Sequence, residues 1–318
     1  MNTKNNRRRL LCTGHAGFIG SNLCKRFLAE GWDVTGVDDL STGRVPFVPE
    51  GVDSYFCDFT APVILEKIKR GEFETVCHLA AKPRVSYSVE HPAETNDINV
   101  ARTVKLLEAC RGNVNRFINT SSSSVYGGAK NLPTPETTPH NPQSPYALQK
   151  SITEAYCRMF SHLYGLDTVS VRPFNVFGPN QVIDENSAYA TACANWLYSA
   201  KHGLPFRSDG TGLQTRDLTH VDNVVDVFYR IAIHDGKFDG RAFNAGTGSR
   251  YSNQEVLDLF KKHYPDTSVT VAPVRAGDVL DTQADMTEAS IILGWKLLMP
   301  FWKGLEMTRE WAMTCEVF

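Results

Sequence analysis

Tyr146 and Lys150 stand four residues apart, a spacing that puts both side chains on one face of a helix. An ammonium beside a phenol favours the phenolate and draws the tyrosine pKa down from about 10. A tyrosine tuned in this way takes the proton of a hydroxyl while hydride leaves the same carbon for a nicotinamide. The same spacing also arises as a plain surface pair. A second hydroxyl-bearing stretch, Ser121-Ser122-Ser123-Ser124-Val125-Tyr126-Gly127, follows the strand-like run at 116–120. Hydroxyls at the C-terminal edge of a central parallel strand face the crevice where such sheets bind ligands. The plainer reading is a polar loop.

A third cluster is Thr13-Gly14-His15-Ala16-Gly17-Phe18-Ile19-Gly20. It follows a short apolar strand and opens a helix, the context a dinucleotide loop needs. Gly14 permits the tight turn, Gly17 lets backbone approach a pyrophosphate, and Gly20 lets the helix lie close to the strand. The helix N-terminus offers N–H groups and a positive dipole end to the phosphates. Asp38 ends the next strand-like run. A carboxylate there accepts from the adenosine ribose and repels a 2′-phosphate, favouring NAD over NADP. Arg44, close by, would weaken that preference.

These groups must be positioned by the elements around them. Strands are expected at 9–12, 33–37, 75–80, 116–120 and 168–172, and helices at 19–30, at about 96–110 and at 145–164. Gly31 and Gly165 close two of the helices. Strands alternating with helices of this length predict an α/β Rossmann fold with a doubly wound parallel sheet. Beyond Arg172 the pattern loosens into loops rich in Gly, Pro and Asn at 173–186 and 203–212. The expected division is a dinucleotide-binding domain over 1–172, also receiving about 217–247, and a smaller α/β substrate lobe made mainly of 173–318.

Composition excludes several other classes. Lys plus Arg number 33 and Asp plus Glu 35 among 318 residues, a net charge of −2. No general positive field for nucleic acid or an anionic membrane follows from that balance. No apolar run reaches the roughly 18 residues of a membrane span. The start, MNTKNNRRR, is basic, but Leu10, Leu11 and Cys12 are too few for a signal-peptide core, so a cytoplasmic protein is expected. The eight cysteines lie far apart without a CxxC pair. That spacing predicts reduced, mostly buried thiols and no metal site.

TGHAGFIG, Asp38, HLAA (78–81), SSSSVYG, SPYALQK, RPFNVFGP (172–179) and TRDLTHVDN (215–223) come in that order. Together they resemble the NAD-dependent nucleotide-sugar epimerase/dehydratase family of extended short-chain dehydrogenases/reductases. The resemblance covers nearly the whole chain. It implies a catalytic Ser122, Tyr146 and Lys150, with Ser123 the fallback should the serine loop be shifted. It places Phe18 and Ile19 on the pyrophosphate of NAD, and Asp38, Asp39, Leu40, Ser41, Thr42 and Gly43 around the adenosine ribose. Asp58 and Phe59 would lie near the adenine, Leu79, Ala80, Ala81 and Lys82 along the cofactor path, Asn99 in support of it, and Phe174 near the nicotinamide.

Dehydratases of this family carry Asp-Glu directly after the catalytic Ser or Thr, and decarboxylases keep a Glu just before VYG. Here Ser123 and Ser124 stand in those places. Neither hydroxyl serves as a carboxylate acid or base near neutral pH. The run is most similar to the 4-epimerases, which implies NAD-dependent 4-epimerisation of a UDP-sugar through a 4-keto intermediate. On the substrate side the resemblance points to Asn175, Arg216 and Arg275 for the diphosphate and nucleotide. It points to Tyr189 and Asp278 for the uridine and ribose, and to Ser88 for the sugar; a helix cap is the other reading of Ser88. Thr282 matches the position beside the sugar 2-substituent, where a bulky aromatic excludes N-acetyl groups. The small side chain implies room for UDP-GlcNAc and UDP-GalNAc alongside UDP-Glc and UDP-Gal. A UDP-glucuronate 4-epimerase, with Arg84 and Ser86 near the carboxylate, is the nearest alternative. A non-catalytic dinucleotide sensor is the alternative from another class. Relatives pair as homodimers, here through the helices at 96–110 and 145–164.

Overall fold

The first strand, β1 (Arg9–Thr13), buries Leu10, Leu11 and Cys12 completely. A strand covered on both faces belongs inside a parallel sheet. The computed structural model describes residues 7–181, 183, 191–273 and 280–316. After β1 come α1 (Phe18–Ala29), β2 (Asp33–Val37), β3 (Asp53–Tyr55), α2 (Pro62–Lys69) and β4 (Thr75–His78). The short helices α3 (Val85–Glu90) and α4 (Pro92–Asn96) run through a π-helical turn, Asp97–Ala101, into α5 (Arg102–Cys110). The helix expected from about 96 therefore starts earlier, at Pro92, with the π turn inside it. Then follow β5 (Arg116–Thr120), a 3-10 turn at Ser123–Tyr126, α6 (Pro145–Tyr164) and β6 (Asp167–Pro173).

The second half contributes β7 (Val176–Phe177), α7 (Ala192–His202), β8 (Phe206–Asp209), β9 (Thr215–Arg216), β10 (Thr219–His220) and α8 (Val221–Ile233). It ends with β11 (Arg241–Ala245), β12 (Tyr251–Ser252), α9 (Asn253–His263), β13 (Val269–Ala272), α10 (Thr287–Leu293) and α11 (Phe301–Thr314).

Seven strands form one parallel sheet in the order β11-β6-β5-β4-β1-β2-β3. Apolar cores cover both of its faces. One joins α1 and α8 through Leu23, Phe27, Val224 and Phe228, and the other joins α2, α5 and α6 through Ile64, Leu106 and Cys157. The strand order reverses beside β1, so the crevice opens above β1 and β4, where α/β sheets bind ligands.

The smaller lobe holds its own core of Trp196, Phe206, Phe260 and Phe301. It reaches back to the sheet side through Asn180, whose Nδ2 donates to Ser21 Oγ at 3.0 Å, and through Asn22, whose Nδ2 donates to Pro179 O at 2.9 Å. No helix among the described residues is long and apolar enough to cross a membrane.

Candidate active site

Helix α6 is set by its own ends. Ser144 Oγ accepts from Ala147 N–H at 3.2 Å, Pro145 occupies the first turn, and Gly165 closes the helix at φ 70°. Its buried stripe runs through Ala147, Lys150, Glu154 and Cys157, so one face carries Tyr146 and Lys150 toward the C-terminal edge of β5. Lys150 Nζ donates to Thr120 O at 2.6 Å and lies 5.8 Å from the centre of the Tyr146 ring. Ser122 caps the 3-10 turn, its Oγ accepting from Ser124 N–H at 3.2 Å. The Ser122 hydroxyl lies near the Tyr146 phenol, where it favours the phenolate.

All three residues line one cavity of about 760 Å³ that runs from the glycine loop to β9. Its electrostatics correct one expectation. Burial pushes the Tyr146 phenol up to about 12, opposed by the Ser122 hydroxyl, and Lys150 does not draw it down. The ammonium donates to the Thr120 carbonyl and lies over the tyrosine ring, and desolvation sets the direction of the shift. Burial likewise draws Lys150 down to about 8, against the support of the Glu154 carboxylate. His78, beneath the cavity, is drawn to about 3 by burial and by Lys150, and its ring bonds the hydroxyls of Thr13 and Thr103.

At the cofactor end, Gly14 adopts φ +76°, and a Cβ there would lie 2.8 Å from Ala80 N. A Cβ on Gly20 would overlap the Gly14 carbonyl oxygen. Helix α1 begins at Gly17 without a side-chain cap, so its first N–H groups face the cavity and suit an anionic group. Among the described residues, Thr120 Oγ1, Ser124 Oγ, Gln181 Oε1 and Thr191 Oγ1 are buried without a hydrogen-bond partner, all in residues lining this cavity. Together the uncapped helix, the glycine-only close approaches and the unmatched polar atoms fit a dinucleotide.

Of the expected cofactor residues, Gly14, Gly17, Phe18, Ile19, Gly20, Asp38, Asp39, Ser41, Thr42, Asp58, Phe59, Leu79, Ala80, Ala81, Lys82 and Phe174 line the cavity. Asp38 accepts from Ala16 N–H at 3.0 Å and Leu40 N–H at 2.8 Å, one bond on each carboxylate oxygen. Leu40 and Gly43, between residues that line the cavity, are not themselves among its lining. Leu40 sits at φ 57° to direct its N–H at Asp38, and Gly43 leaves the space Asp38 occupies. Asn99 supports the cofactor path through the Lys82 backbone. Buried on the π turn, it accepts from Lys82 N–H at 2.8 Å and donates to Lys82 O at 3.1 Å and Gln149 Oε1 at 2.8 Å. It fixes the backbone beside the cavity and stays outside it.

On the substrate side Asn175, Arg216 and Thr282 line the cavity, as does Arg84. Asn175 Nδ2 donates to Thr282 Oγ1 at 2.9 Å and to Asp217 O at 3.2 Å. Arg216 donates to Leu280 O at 2.9 Å. Ser88 is corrected: it is fully buried, and its Oγ accepts from Tyr146 N–H at 3.1 Å while donating to Val85 O at 2.6 Å. It therefore holds the first turn of α6. Ser86 does not line the cavity. Tyr189, Arg275 and Asp278 lie outside the described residues. Gln181, Thr191 and Asp281 line the cavity and were not anticipated. Gln181 stands two places beyond the RPFNVFGP stretch, where its neighbourhood was a signal; Thr191 and Asp281 carried none.

The NAD dependent epimerase/dehydratase family matches residues 10–246. A UDP-glucose 4-epimerase of Mycolicibacterium smegmatis is 38% identical over 311 residues, covering 95% of this chain and 97% of that protein. The UDP-N-acetylglucosamine 4-epimerase of Methanobrevibacter ruminantium, solved with UDP-N-acetylmuramic acid, superposes with a TM-score of 0.89. It is 30% identical and covers 96% of this chain and 98% of that one. MoeE5, solved with NAD and either UDP-glucose or UDP-glucuronic acid, is 32% identical with TM-scores of 0.85 and 0.84, covering 95% of this chain and 98% of that one. The glycine loop, the Tyr-Lys helix, the serine turn and these matches lead to one conclusion: the chain belongs to the NAD-dependent epimerase/dehydratase family.

Proposed function

We propose that this protein is an isomerase catalysing NAD-dependent 4-epimerisation of a UDP-sugar, UDP-GlcNAc/UDP-GalNAc and/or UDP-Glc/UDP-Gal. The observation that carries the reading is the meeting of Ser122, Tyr146 and Lys150 in one cavity with the uncapped N-terminus of α1. Gly14, Gly17, Phe18, Ile19, Gly20 and Asp38 would hold NAD, with the phosphates on the α1 N–H groups. When bound, NAD supplies a two-electron acceptor at its nicotinamide that is restored within each cycle.

Tyr146 Oη takes the proton of the sugar 4-hydroxyl as that carbon is oxidised, with Ser122 donating to the oxygen. The keto-sugar then turns over in the pocket so that C4 presents its other face to the returning hydride, and Tyr146 gives the proton back to the 4-oxygen. Lys150, donating to Thr120 O, holds positive charge over the Tyr146 ring. The serines at 123 and 124 provide no carboxylate for water elimination, which supports epimerase over dehydratase. Asn175, Arg216, Arg275, Tyr189 and Asp278 belong to the nucleotide end of the same reading, and Thr282 to the sugar end.

A homodimer is part of the proposal, supported by the exposed Leu148, Met159 and Leu163 on α6; sedimentation velocity tests it. A cytoplasmic location is supported by eight free thiols. UDP-glucuronate 4-epimerisation is the second reading, favoured by Lys82 and Arg84 on the cavity wall. Purified protein with NAD should interconvert UDP-Gal with UDP-Glc and UDP-GalNAc with UDP-GlcNAc. Turnover of UDP-glucuronate alone establishes the second reading. Tyr146→Phe should keep NAD and lose most turnover; unchanged behaviour marks a sensor.

A further inference from the structure

We propose that Glu154 is a positioning residue for this reaction, its ion pair with Arg172 fixing both ends of the serine turn to the helix that carries Tyr146 and Lys150. The proposal rests on the epimerase reading above. Glu154 lies one turn beyond Lys150 on α6, and Arg172 lies on β6; both are 2% exposed. Arg172 Nε and Nη2 donate to the two carboxylate oxygens at 2.9 and 2.6 Å, a bidentate pair. A buried ion pair is often no more stabilising than apolar residues of the same volume, so its other bonds matter.

Those bonds go to the two residues that bracket the turn. Ser121 Oγ donates to Glu154 Oε1. Arg172 Nη1 donates to Tyr126 Oη at 2.7 Å, with the guanidinium 4.9 Å over the Tyr126 ring. Ser121 N–H is held by Val171 O at 2.7 Å, and Tyr126 Oη donates to Asn244 Oδ1 at 2.7 Å. Between those points lie Ser122, which lines the cavity together with Tyr146, and Ser124. The titratable and charged groups facing the pair are Lys150 and Cys157 on α6, His140 and Glu136 from the loop before it, and Tyr126. An apolar pair in the same space would cover the sheet but leave the turn free to slide against α6. A slip of about 1 Å in such a site costs on the order of a hundredfold in rate.

The test uses the NAD-loaded full chain with Ser121→Ala, which removes one tie and strands no charge, and Glu154→Gln, which keeps shape and an acceptor oxygen. Each should lower kcat with UDP-galactose by about 10- to 100-fold, leaving KM and bound NAD at wild-type values. Tyr146 ionisation, read as the difference absorbance between each enzyme and its Tyr146→Phe derivative, should move to higher pH as Ser122, whose hydroxyl favours the phenolate, shifts away from it. Wild-type kcat and an unmoved Tyr146 titration in both variants would overturn the proposal. So would a loss of rate matched by lost NAD or a raised KM. Should Glu154→Gln not fold, Ser121→Ala decides alone. A wild type inert toward every UDP-sugar refutes the epimerase reading separately, and the substrate-free Tyr146 titration still decides the role of Glu154.

Discussion

Lys150→Met should abolish turnover and yet stabilise the NAD-stripped protein near neutral pH. The lysine is 5% exposed, and burial draws its pKa from 10.5 to about 8. At about 1.4 kcal/mol per pKa unit, holding the ammonium in the fold costs about 3 kcal/mol. Methionine fills the same channel without charge, but it forfeits the bond from Lys150 Nζ to Thr120 O. A buried acceptor left short of a partner costs about 1–3 kcal/mol, so the net gain should be about 0–2 kcal/mol.

The pH dependence identifies the cause. Below about pH 8 the folded and unfolded chains both carry the proton, and the full cost is present. Between about 8 and 10.5 the unfolded chain binds more protons than the folded one, so this group makes wild-type stability rise with pH. Above 10.5 the cost is gone, and the advantage of the variant should be gone with it. Urea unfolding of both proteins without NAD, near neutral pH and near pH 10, measures the difference. A Lys150→Met protein less stable than wild type near neutrality, or an advantage that does not shrink on raising the pH, refutes the reasoning.

Gly20→Ala would drive a Cβ into the Gly14 carbonyl; co-purified NAD should be lost and the melting temperature lowered, consistent with about 1–3 kcal/mol of overpacking. Ser88→Ala removes the acceptor for the Tyr146 N–H and should cost about 1 kcal/mol of stability. Its kcat should fall while KM holds; a raised KM alone would return Ser88 to the sugar. Thr282→Tyr should lower kcat/KM for UDP-GlcNAc relative to UDP-Glc by at least about tenfold, measured side by side.

Much of the framework was legible because it is local. The Ser144-Pro145 start and Gly165 end of α6 are written within 22 consecutive residues, and the glycine loop declares itself between one strand and one helix. What was misread depends on distant partners. Ser88 shows a hydroxyl near a substrate-like stretch, but that the hydroxyl accepts the N–H of Tyr146, 58 positions away, appears only in the fold. How Asn99 supports the cofactor path, by bonding Lys82 and Gln149, likewise appears only in the fold. The direction of the Tyr146 shift was missed for a similar reason. Spacing gives the proximity of Lys150, whereas desolvation depends on everything else packed around the phenol.

The same non-local logic governs sugar selectivity. Thr282 Oγ1 accepts from Asn175 Nδ2 at 2.9 Å and from Asp217 N–H at 3.2 Å, while its own N–H donates to Thr215 O at 3.1 Å. Asp217, fully buried, receives N–H groups from Thr247, Gly248 and Ala284. Asn175 is held at φ 34°, a conformation that costs an asparagine on the order of 1 kcal/mol and persists only where its surroundings impose it. Three separate segments therefore fix one wall of the cavity. The room beside residue 282 and the aim of the Asn175 amide are not independent quantities, and a larger side chain alters both at once. Thr282→Val separates them, since it keeps the volume and removes the hydroxyl. If room alone admits the N-acetyl group, the ratio of UDP-GlcNAc to UDP-Glc turnover in Thr282→Val stays at the wild-type value. If the fixed Asn175 amide contributes, that ratio falls although no space has been lost.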